Sequence, residues 1–192
     1  MDISKLPAGK NPPYEINVLI EVPLRSDPIK YEYDKENGFI FVDRYLYTAM
    51  FYPCNYGFIP QTLAGDGDPV DVMVVGRMPV IPGAILRCRP IGVLMMQDEA
   101  GLDEKILAVP IDKITAINKN VHTYKDLPEI DLARIAHFFE HYKDLEPNKW
   151  VKVLGWEGVE QAHRLILEGI EQARGQAGLD PTVGEGRNEP AT

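Results

Sequence analysis

Short apolar or alternating segments fill the first two thirds of the chain. An apolar run over 16–22 predicts one strand, and strict alternation of apolar and charged residues over 29–34 predicts a second. The dipeptide Asn37-Gly38 predicts a hairpin turn that leads into a third strand over 39–44. The chain therefore begins with a β-rich region.

Three more apolar segments follow. The β-branched run 69–75 predicts a buried strand, and 85–96 and 105–109 predict a hairpin. The polar connection 97–104 places several acids at the mouth of that hairpin. Many short strands joined by Gly and Pro turns favour a closed or partly closed barrel.

Helical periodicity is confined to the last third. Apolar residues recur at three- and four-residue intervals at Leu132, Ile135, Phe139 and Tyr142. This spacing predicts a first helix with Asp131 as its N-cap, and a second helix is predicted over 157–174. The fold class is therefore mainly β with flanking helices (α+β). Residues 1–174 are expected to form one domain, and the polar segment 175–192 a flexible tail.

Composition narrows the possible partners. The 192 residues are 45% hydrophobic and 26% charged, which is ordinary for a globular domain. A net charge of -9 disfavours nucleic acid, although metal ions would allow an acidic protein to bind a small polyphosphate. No apolar run is long enough to span a membrane and no signal peptide is visible, so a cytoplasmic location is expected. Cys54 and Cys88 fit no zinc-site spacing and are expected to be buried.

The most informative segment is the acidic turn Asp66-Gly67-Asp68-Pro69-Val70-Asp71-Val72. Its three carboxylates repel one another unless solvent or a cation separates them. Oxygen ligands select hard ions such as magnesium, manganese or calcium. An EF-hand would need other residues at Val70 and Arg77. A solvated acidic turn is the alternative, but the stiff and apolar flanking residues favour a preorganised set of ligands.

Further acids and bases are predicted to gather near this turn. They are Glu21, Lys30, Glu32, Arg44, Asp98, Glu99, Asp103, Lys105, Tyr142 and Lys143. Carboxylates and cations together, with Tyr52 and Tyr56 as phenol donors, favour metal ions that bridge to a phosphorylated ligand. Each residue has an ordinary alternative; Glu104-Lys105, for example, would be a surface pair of little energetic value.

With these residues in place, the chain resembles the bacterial-type soluble inorganic pyrophosphatases of family I. The 66–72 segment matches the family signature D-[SGDN]-D-[PE]-x-D-x, and the resemblance extends over roughly 10–172. It implies an OB-like five-stranded closed barrel with two C-terminal helices. It also implies hydrolysis of inorganic pyrophosphate with several Mg²⁺ ions, for which Mn²⁺, Co²⁺ or Zn²⁺ substitute, and a cytoplasmic homohexamer.

The resemblance also implies a role for each matched residue. Metal ligands would be Glu21, Asp66, Asp71, Asp98 and Asp103. Asp68 would be the general base. Substrate contacts would come from Lys30, Arg44, Tyr56, Tyr142 and Lys143, with support from Glu32, Tyr52, Glu99 and Lys105. His137 and His141 would lie at a subunit interface. No Ser/His or Cys/His nucleophile pair is visible, so no covalent phosphoenzyme is expected.

Three other functions remain open from the residues alone. An OB-like module could bind single-stranded nucleic acid on the aromatic-rich stretch 45–58, although the acidic charge opposes this and packing is the better interpretation of those rings. A structural calcium-binding protein would leave Lys30, Arg44 and Lys143 without a purpose. A phosphatase acting on nucleotides or organic pyrophosphates is the third alternative.

Overall fold

The computed structural model describes residues 3–35 and 37–179, with side chains through 176. The strands are β1 Ile16–Val22, β2 Ile29–Tyr33, β3 Ile40–Tyr45, β4 Asn55–Phe58, β5 Asp71–Val74, β6 Ile85–Asp98, β7 Gly101–Leu102, β8 Lys105–Pro110 and β9 Val151–Glu157. The two α-helices are α1 Glu129–His141 and α2 Val159–Leu179.

Five of these strands form a closed ring. Hydrogen-bonded pairs run in the order β1–β4–β5–β8–β6 and return from β6 to β1. Only the β5–β8 pair within this ring is parallel. The predicted five-stranded closed barrel is therefore confirmed. Closure removes the unpaired strand edges that an open sheet of this size would expose.

Both faces of the central strands are covered, which explains their continuous apolar runs. On β5, Val72 and Val74 belong to the cluster that includes Ile166 of α2. Met73, between them, belongs to the cluster that includes Phe139 of α1. Alternate residues of a strand thus pack against different helices, so neither face is polar. The strand predicted over 69–75 is confirmed in its central part.

The β2–β3 hairpin forms a separate two-stranded sheet. Lys30 pairs with Arg44 across it, and the turn is closed by a 2.9 Å hydrogen bond from Gly38 N to the Asp34 carbonyl oxygen. The predicted Asn37-Gly38 hairpin is therefore confirmed. Strand β2 connects to the barrel where the backbone N–H of Tyr33 donates to the Glu21 carboxylate.

Both helices begin or end at positions other than those predicted. Helix α1 begins at Glu129 with Pro128 as its cap residue, so the prediction of Asp131 as N-cap is wrong. Proline has no backbone N–H to donate. It is accepted at the start of a helix, because an N–H there would have no partner within the helix. Asp131 lies instead in the first turn, where a carboxylate suits the positive end of the helix dipole.

The region around the second helix contains a strand that the sequence did not predict. Residues Val151–Glu157 form β9 and pair with β6, so α2 cannot begin at 157. It begins at Val159 and continues through Gly175 to Leu179, beyond the predicted end at 174. The remaining residues of the predicted tail, 180–192, lie outside the described residues. Of the helices that are described, none has the length and apolar character to cross a membrane.

The aromatic stretch divides between core and surface. Tyr52, Tyr56 and Phe58 are buried, as predicted. Tyr45 and Tyr47 are 68% and 65% exposed, so the packing interpretation is wrong for them and for Phe51, which is also exposed. Both cysteines are buried and unpaired, as expected.

Candidate active site

The acidic turn lies directly before β5. The backbone N–H of Asp68 donates to Asp66 Oδ1 over 3.0 Å, and Gly67 has a positive φ of 92° that completes the bend. Val70 anchors the far side of the turn in the core, at 5% exposure. The Asp68 side chain is 68% exposed, whereas that of Asp71 is 27% exposed. The turn therefore directs one carboxylate toward solvent and another toward the barrel.

Lys105 joins the carboxylate of Asp71, the first residue of β5, to that of Asp103, which lies between β7 and β8. Its Nζ lies 2.8 Å from Asp71 Oδ2 and 2.8 Å from Asp103 Oδ1, and it donates to the Tyr56 hydroxyl over 3.1 Å. The interpretation of Glu104-Lys105 as a surface pair is wrong for Lys105, which is buried at the start of β8. Burial lowers the pKa of Lys105, but Asp71, Tyr56 and Asp103 together hold it well above its ordinary value.

Near Lys105, carboxylate groups outnumber cationic groups. Burial raises the pKa of Asp66, and the neighbouring charges of Asp71, Asp68 and Asp103 raise it further. Burial likewise raises the pKa of Glu104. A carboxylate whose pKa rises in this way lacks sufficient positive charge around it. A further cation would therefore stabilise this end of the barrel.

Glu21 is the carboxyl group with the largest shift in pKa among the described residues. It is buried on β1 and accepts a 2.8 Å hydrogen bond from the backbone N–H of Tyr33. Burial raises its pKa to about 8, with Asp71 and Glu32 adding to the rise against the opposing effects of Tyr33 and Lys30. Without a cation beside it, Glu21 is therefore largely protonated at neutral pH.

A small cleft brings the acidic turn together with the hairpin. It has a volume of about 80 Å³ and is lined by Glu21, Lys30, Glu32, Tyr33, Lys35, Tyr56, Phe58, Asp66, Asp68, Pro69 and Asp71. Six of the predicted site residues line this one cleft. Asp103 connects to it through Lys105, while Arg44, Asp98, Tyr142 and Lys143 do not line it.

The predicted phosphate-binding cations lie in ion pairs that the sequence did not reveal. Asp43 Oδ2 lies 3.2 Å from Lys30 Nζ and accepts a 2.7 Å hydrogen bond from Arg44 Nη1. Glu146 Oε2 lies 3.2 Å from Arg44 Nε. Burial raises the pKa of Asp43, but the nearby charges and hydrogen bonds of Lys30 and Arg44 keep it below its ordinary value. Strand β3 has no alternation that marks Asp43, and no local pattern identifies Glu146.

Lys143 and Asp98 form a second paired group. Lys143 Nζ donates to Asp98 Oδ2 over 2.7 Å and lies 3.7 Å from Glu99 Oε1. Burial raises the pKa of Asp98, but the hydrogen bonds from Lys143 and the Ala100 N–H, together with the charges of Lys143 and Lys105, bring it below its ordinary value. Tyr142 is buried beside this pair, and burial raises the pKa of its hydroxyl.

Divalent cations fit the chemistry of the predicted ligands. The donors are all carboxylate oxygens, the preferred ligands of Mg²⁺, and the raised pKa values of Glu21 and Asp66 mark a deficit of positive charge. Among residues 3–35 and 37–176, no three His, Cys, Asp or Glu side chains are already closed into a metal-binding group. Lys105 instead holds Asp71 and Asp103.

The histidine pair on α1 has no metal-binding geometry. The rings of His137 and His141 are 4.5 Å apart, and His141 Nδ1 lies 2.8 Å from Asp144 Oδ2. Within the described residues they join no third ligand.

Carboxylates that gather beside lysines and tyrosines on a closed β-barrel can hold metal ions that bridge to a phosphoryl group, so the site is that of a metal-dependent phosphoryl-transfer enzyme. The family profile described as inorganic pyrophosphatase matches residues 18–174. The chain is 62% identical over 170 residues to an inorganic pyrophosphatase from Rhodospirillum rubrum, across 88% of this chain and 95% of that protein.

Solved structures give the same result. An inorganic phosphatase from Anaplasma phagocytophilum matches with a TM-score of 0.87 and 53% identity, across 88% of this chain and 99% of that one. The inorganic pyrophosphatase from Thermus thermophilus matches with a TM-score of 0.85 and 40% identity, across 91% and 99%. The chain therefore belongs to the inorganic pyrophosphatase family.

Proposed function

We propose that this chain hydrolyses inorganic pyrophosphate to two orthophosphates by direct attack of water, without a covalent phosphoenzyme. Family membership supports the substrate. The observation that carries the proposal is the cleft that joins Asp66, Asp68 and Asp71 to Lys30 and Tyr56. Pyrophosphate is a small polyanion without an apolar part, so its binding requires cations and hydrogen-bond donors of this kind.

Glu21, Asp66, Asp71, Asp98 and Asp103 would hold several Mg²⁺ ions, with Mn²⁺, Co²⁺ or Zn²⁺ as possible substitutes. When bound, such ions supply Lewis acidity that lowers the pKa of water and neutralises phosphoryl oxygens. The all-oxygen donor set and the raised pKa values of Glu21 and Asp66 support this role. Lys105 would keep Asp71 and Asp103 in place before and after an ion binds.

Asp68 would accept the proton of the attacking water. Its carboxylate lines the cleft and is 68% exposed, so both water and substrate can reach it. Its nearest cation, Lys35 Nζ, lies 3.6 Å away, which leaves the carboxylate oxygens free to accept a proton or orient the water. General bases that are positioned in this way contribute about 10²–10⁴-fold to a rate.

Lys30, Arg44, Tyr56, Tyr142 and Lys143 would bind the two phosphate groups. Tyr56 supports this assignment because it lines the cleft, where its hydroxyl oxygen accepts from Lys105 and its O–H also hydrogen-bonds to the Asp71 carboxylate. The ammonium and guanidinium groups would offset charge that develops on the leaving phosphate. Lys30 and Lys143 would exchange their present partners, Asp43 and Asp98, for phosphate oxygens as the substrate binds.

The proposal is tested by phosphate release from inorganic pyrophosphate. Three conditions are compared: Mg²⁺, excess EDTA, and Mg²⁺ with ATP as a competing substrate. Rapid release that requires Mg²⁺ and is little affected by ATP is the expected result. Release from ATP at a comparable rate would indicate a phosphatase of broader substrate range, and no release with any divalent ion would overturn the proposal.

We further propose that the chain is a cytoplasmic homohexamer that binds neither nucleic acid nor membranes. The net charge of -9 supports the absence of nucleic-acid binding. The adjacent rings of His137 and His141 on α1 would lie at a subunit contact. Sedimentation of the wild type and of a His137→Ala/His141→Ala variant tests the assembly. A monomeric wild type would overturn it.

A further inference from the structure

Two of the three guanidinium nitrogens of Arg44 contact carboxylates. Its Nε lies 3.2 Å from Glu146 Oε2 and 3.4 Å from Oε1, and its Nη1 donates to Asp43. A guanidinium has five N–H donors in a planar fork. Nη2 of Arg44 has no hydrogen-bond partner among the residues that the structure describes. The two carboxylates therefore occupy Nε and Nη1 and leave the two N–H donors of Nη2 for a ligand.

Glu146 belongs to the turn that carries Lys143. The backbone N–H of Glu146 donates to the Lys143 carbonyl oxygen over 2.8 Å, and the N–H of Lys149 donates to the Glu146 carbonyl over 3.3 Å. These consecutive bonds make the turn after α1 compact. The position of the Glu146 carboxylate is therefore tied to the position of Lys143.

The Glu146 carboxylate is well suited to hold a cation in place. Its side chain is only 8% exposed, and Lys149 Nζ lies 3.6 Å from Oε2, on the same carboxylate as Arg44. Removing solvent from an ion pair strengthens it. Arg44 comes from β3, in a hairpin outside the barrel sheet, so this contact joins two parts of the chain that are 102 positions apart.

We propose that Glu146 is a positioning residue that holds Arg44 at a fixed place relative to Lys143. Both cations are then already in position when pyrophosphate binds. A free arginine side chain loses rotamer entropy when it is fixed. Fixing Arg44 before the substrate arrives lowers this cost at the moment of binding. Glu146 thus acts on substrate affinity and not on the chemical step. This inference rests on the proposed function.

The test compares KM and kcat for pyrophosphate across a set of variants. Glu146→Ala is expected to raise KM about tenfold, in line with the loss of one hydrogen bond to a charged group, and to leave kcat within about twofold. Glu146→Gln keeps the size and one acceptor oxygen, and it should recover much of the loss. Magnesium affinity, measured by calorimetry without substrate, should not change in either variant.

A double-mutant cycle distinguishes positioning from a general structural role. If Glu146 acts through Arg44, Glu146→Ala should add little to the rise in KM that Arg44→Ala already causes. The matched control is Asp144→Ala in the same turn, whose carboxylate contacts His141 and not Arg44. It should leave KM unchanged. Glu146→Gln keeps the comparison possible if Glu146→Ala does not fold.

The outcomes separate this inference from the proposed function. A wild type that does not hydrolyse pyrophosphate would overturn the proposed function. An active wild type whose KM is unchanged by Glu146→Ala and Glu146→Gln would overturn the positioning role alone. Additive effects of Arg44→Ala and Glu146→Ala, or a loss confined to kcat, would also overturn it.

Discussion

The Lys105 ammonium lies 2.8 Å from the Asp71 carboxylate and is equally close to Asp103. All three side chains are shielded from water, since their exposures are 4%, 27% and 16% respectively. In the metal-free chain this lysine is the nearest positive charge to both acids. It therefore offsets a repulsion that would otherwise oppose folding.

Replacing Lys105 with Met should destabilise the metal-free chain. Loss of one partner from a shielded ion pair leaves uncompensated charge, at a cost of about 2–4 kcal/mol in the free energy of unfolding. A divalent cation would then supply the missing charge. Urea unfolding with EDTA and with Mg²⁺ should show a larger stabilisation by Mg²⁺ in Lys105→Met than in the wild type.

The control is Lys152→Met on β9, an exposed position without a carboxylate partner among the described residues. Its free energy of unfolding should change by no more than about 0.5 kcal/mol. Equal losses in the two variants would contradict the role of Lys105 as an internal counterion.

Asp68→Asn should abolish most hydrolysis while the fold and metal binding persist. Asparagine has the same shape but cannot accept a proton, so kcat should fall by about 10²–10⁴-fold. The backbone N–H that Asp68 donates to Asp66 is unaffected by the change. Phosphate release gives kcat, and calorimetric titration with Mg²⁺ checks that the neighbouring ligands still bind.

The control for this variant is Asp112→Asn, whose carboxylate contacts Arg89 away from the cleft. It should retain wild-type turnover. Hydrolysis at the wild-type rate by Asp68→Asn would remove Asp68 from the role of general base.

The strands could be predicted from the sequence because their patterns are local, whereas the pairing of the barrel could not. Alternation and apolar runs mark β1, β2 and β5 directly. The β1–β6 and β5–β8 pairs join segments that are distant in the chain, and no local pattern encodes them. Strand β9 escaped prediction because it is half-exposed on both faces and includes a glycine.

The candidate site, like the fold, could be predicted only in part from the sequence. Spacing alone identifies the three acids of the 66–71 turn as candidates, because they lie within one short segment. Glu146 could not be found, since its role arises from a contact with Arg44 that only the folded chain creates. Lys105 was ambiguous in sequence because adjacent charges resemble a surface pair. Burial of every residue of β8 decides against that interpretation.

The metal-free chain should become less stable as the pH rises toward alkaline values. Burial raises the pKa of Glu21 from 4.5 to about 8, so the folded chain holds a proton that the unfolded chain has lost across this window. Because the folded state binds more protons there, the free energy of unfolding falls as the pH rises, by roughly 4–5 kcal/mol in total. Urea unfolding in EDTA between about pH 5 and pH 9 measures this fall in the free energy of unfolding.

Glu21→Gln serves as the matched variant. The glutamine oxygen can still accept from the backbone N–H of Tyr33, but the side chain no longer titrates. The pH dependence of its unfolding free energy should therefore be flatter by the amount that Glu21 contributes. Parallel pH profiles for the two proteins would show that Glu21 is not the source.

Gly57→Ala should disrupt both the barrel and the site. Gly57 pairs with Ile20 across β1 and β4, and an added Cβ would overlap the Leu19 carbonyl oxygen. These backbone atoms of β1 cannot move aside as a flexible side chain would, so the free energy of unfolding should fall by at least about 3 kcal/mol. Tyr56 precedes this residue, and its hydroxyl should lose its position beside Lys105.

Gly175→Ala supplies the opposite control, because nothing lies within 4 Å of an added Cβ there and the residue is helical. Alanine at a helical position should stabilise the chain by about 0.5–1 kcal/mol. Circular dichroism during urea unfolding measures both variants. The same substitution should therefore lower the free energy of unfolding at position 57 and raise it at position 175, because the surroundings of the two glycines differ. A Gly57→Ala protein as stable as the wild type would mean that β1 and β4 do not pair as closely as this barrel requires.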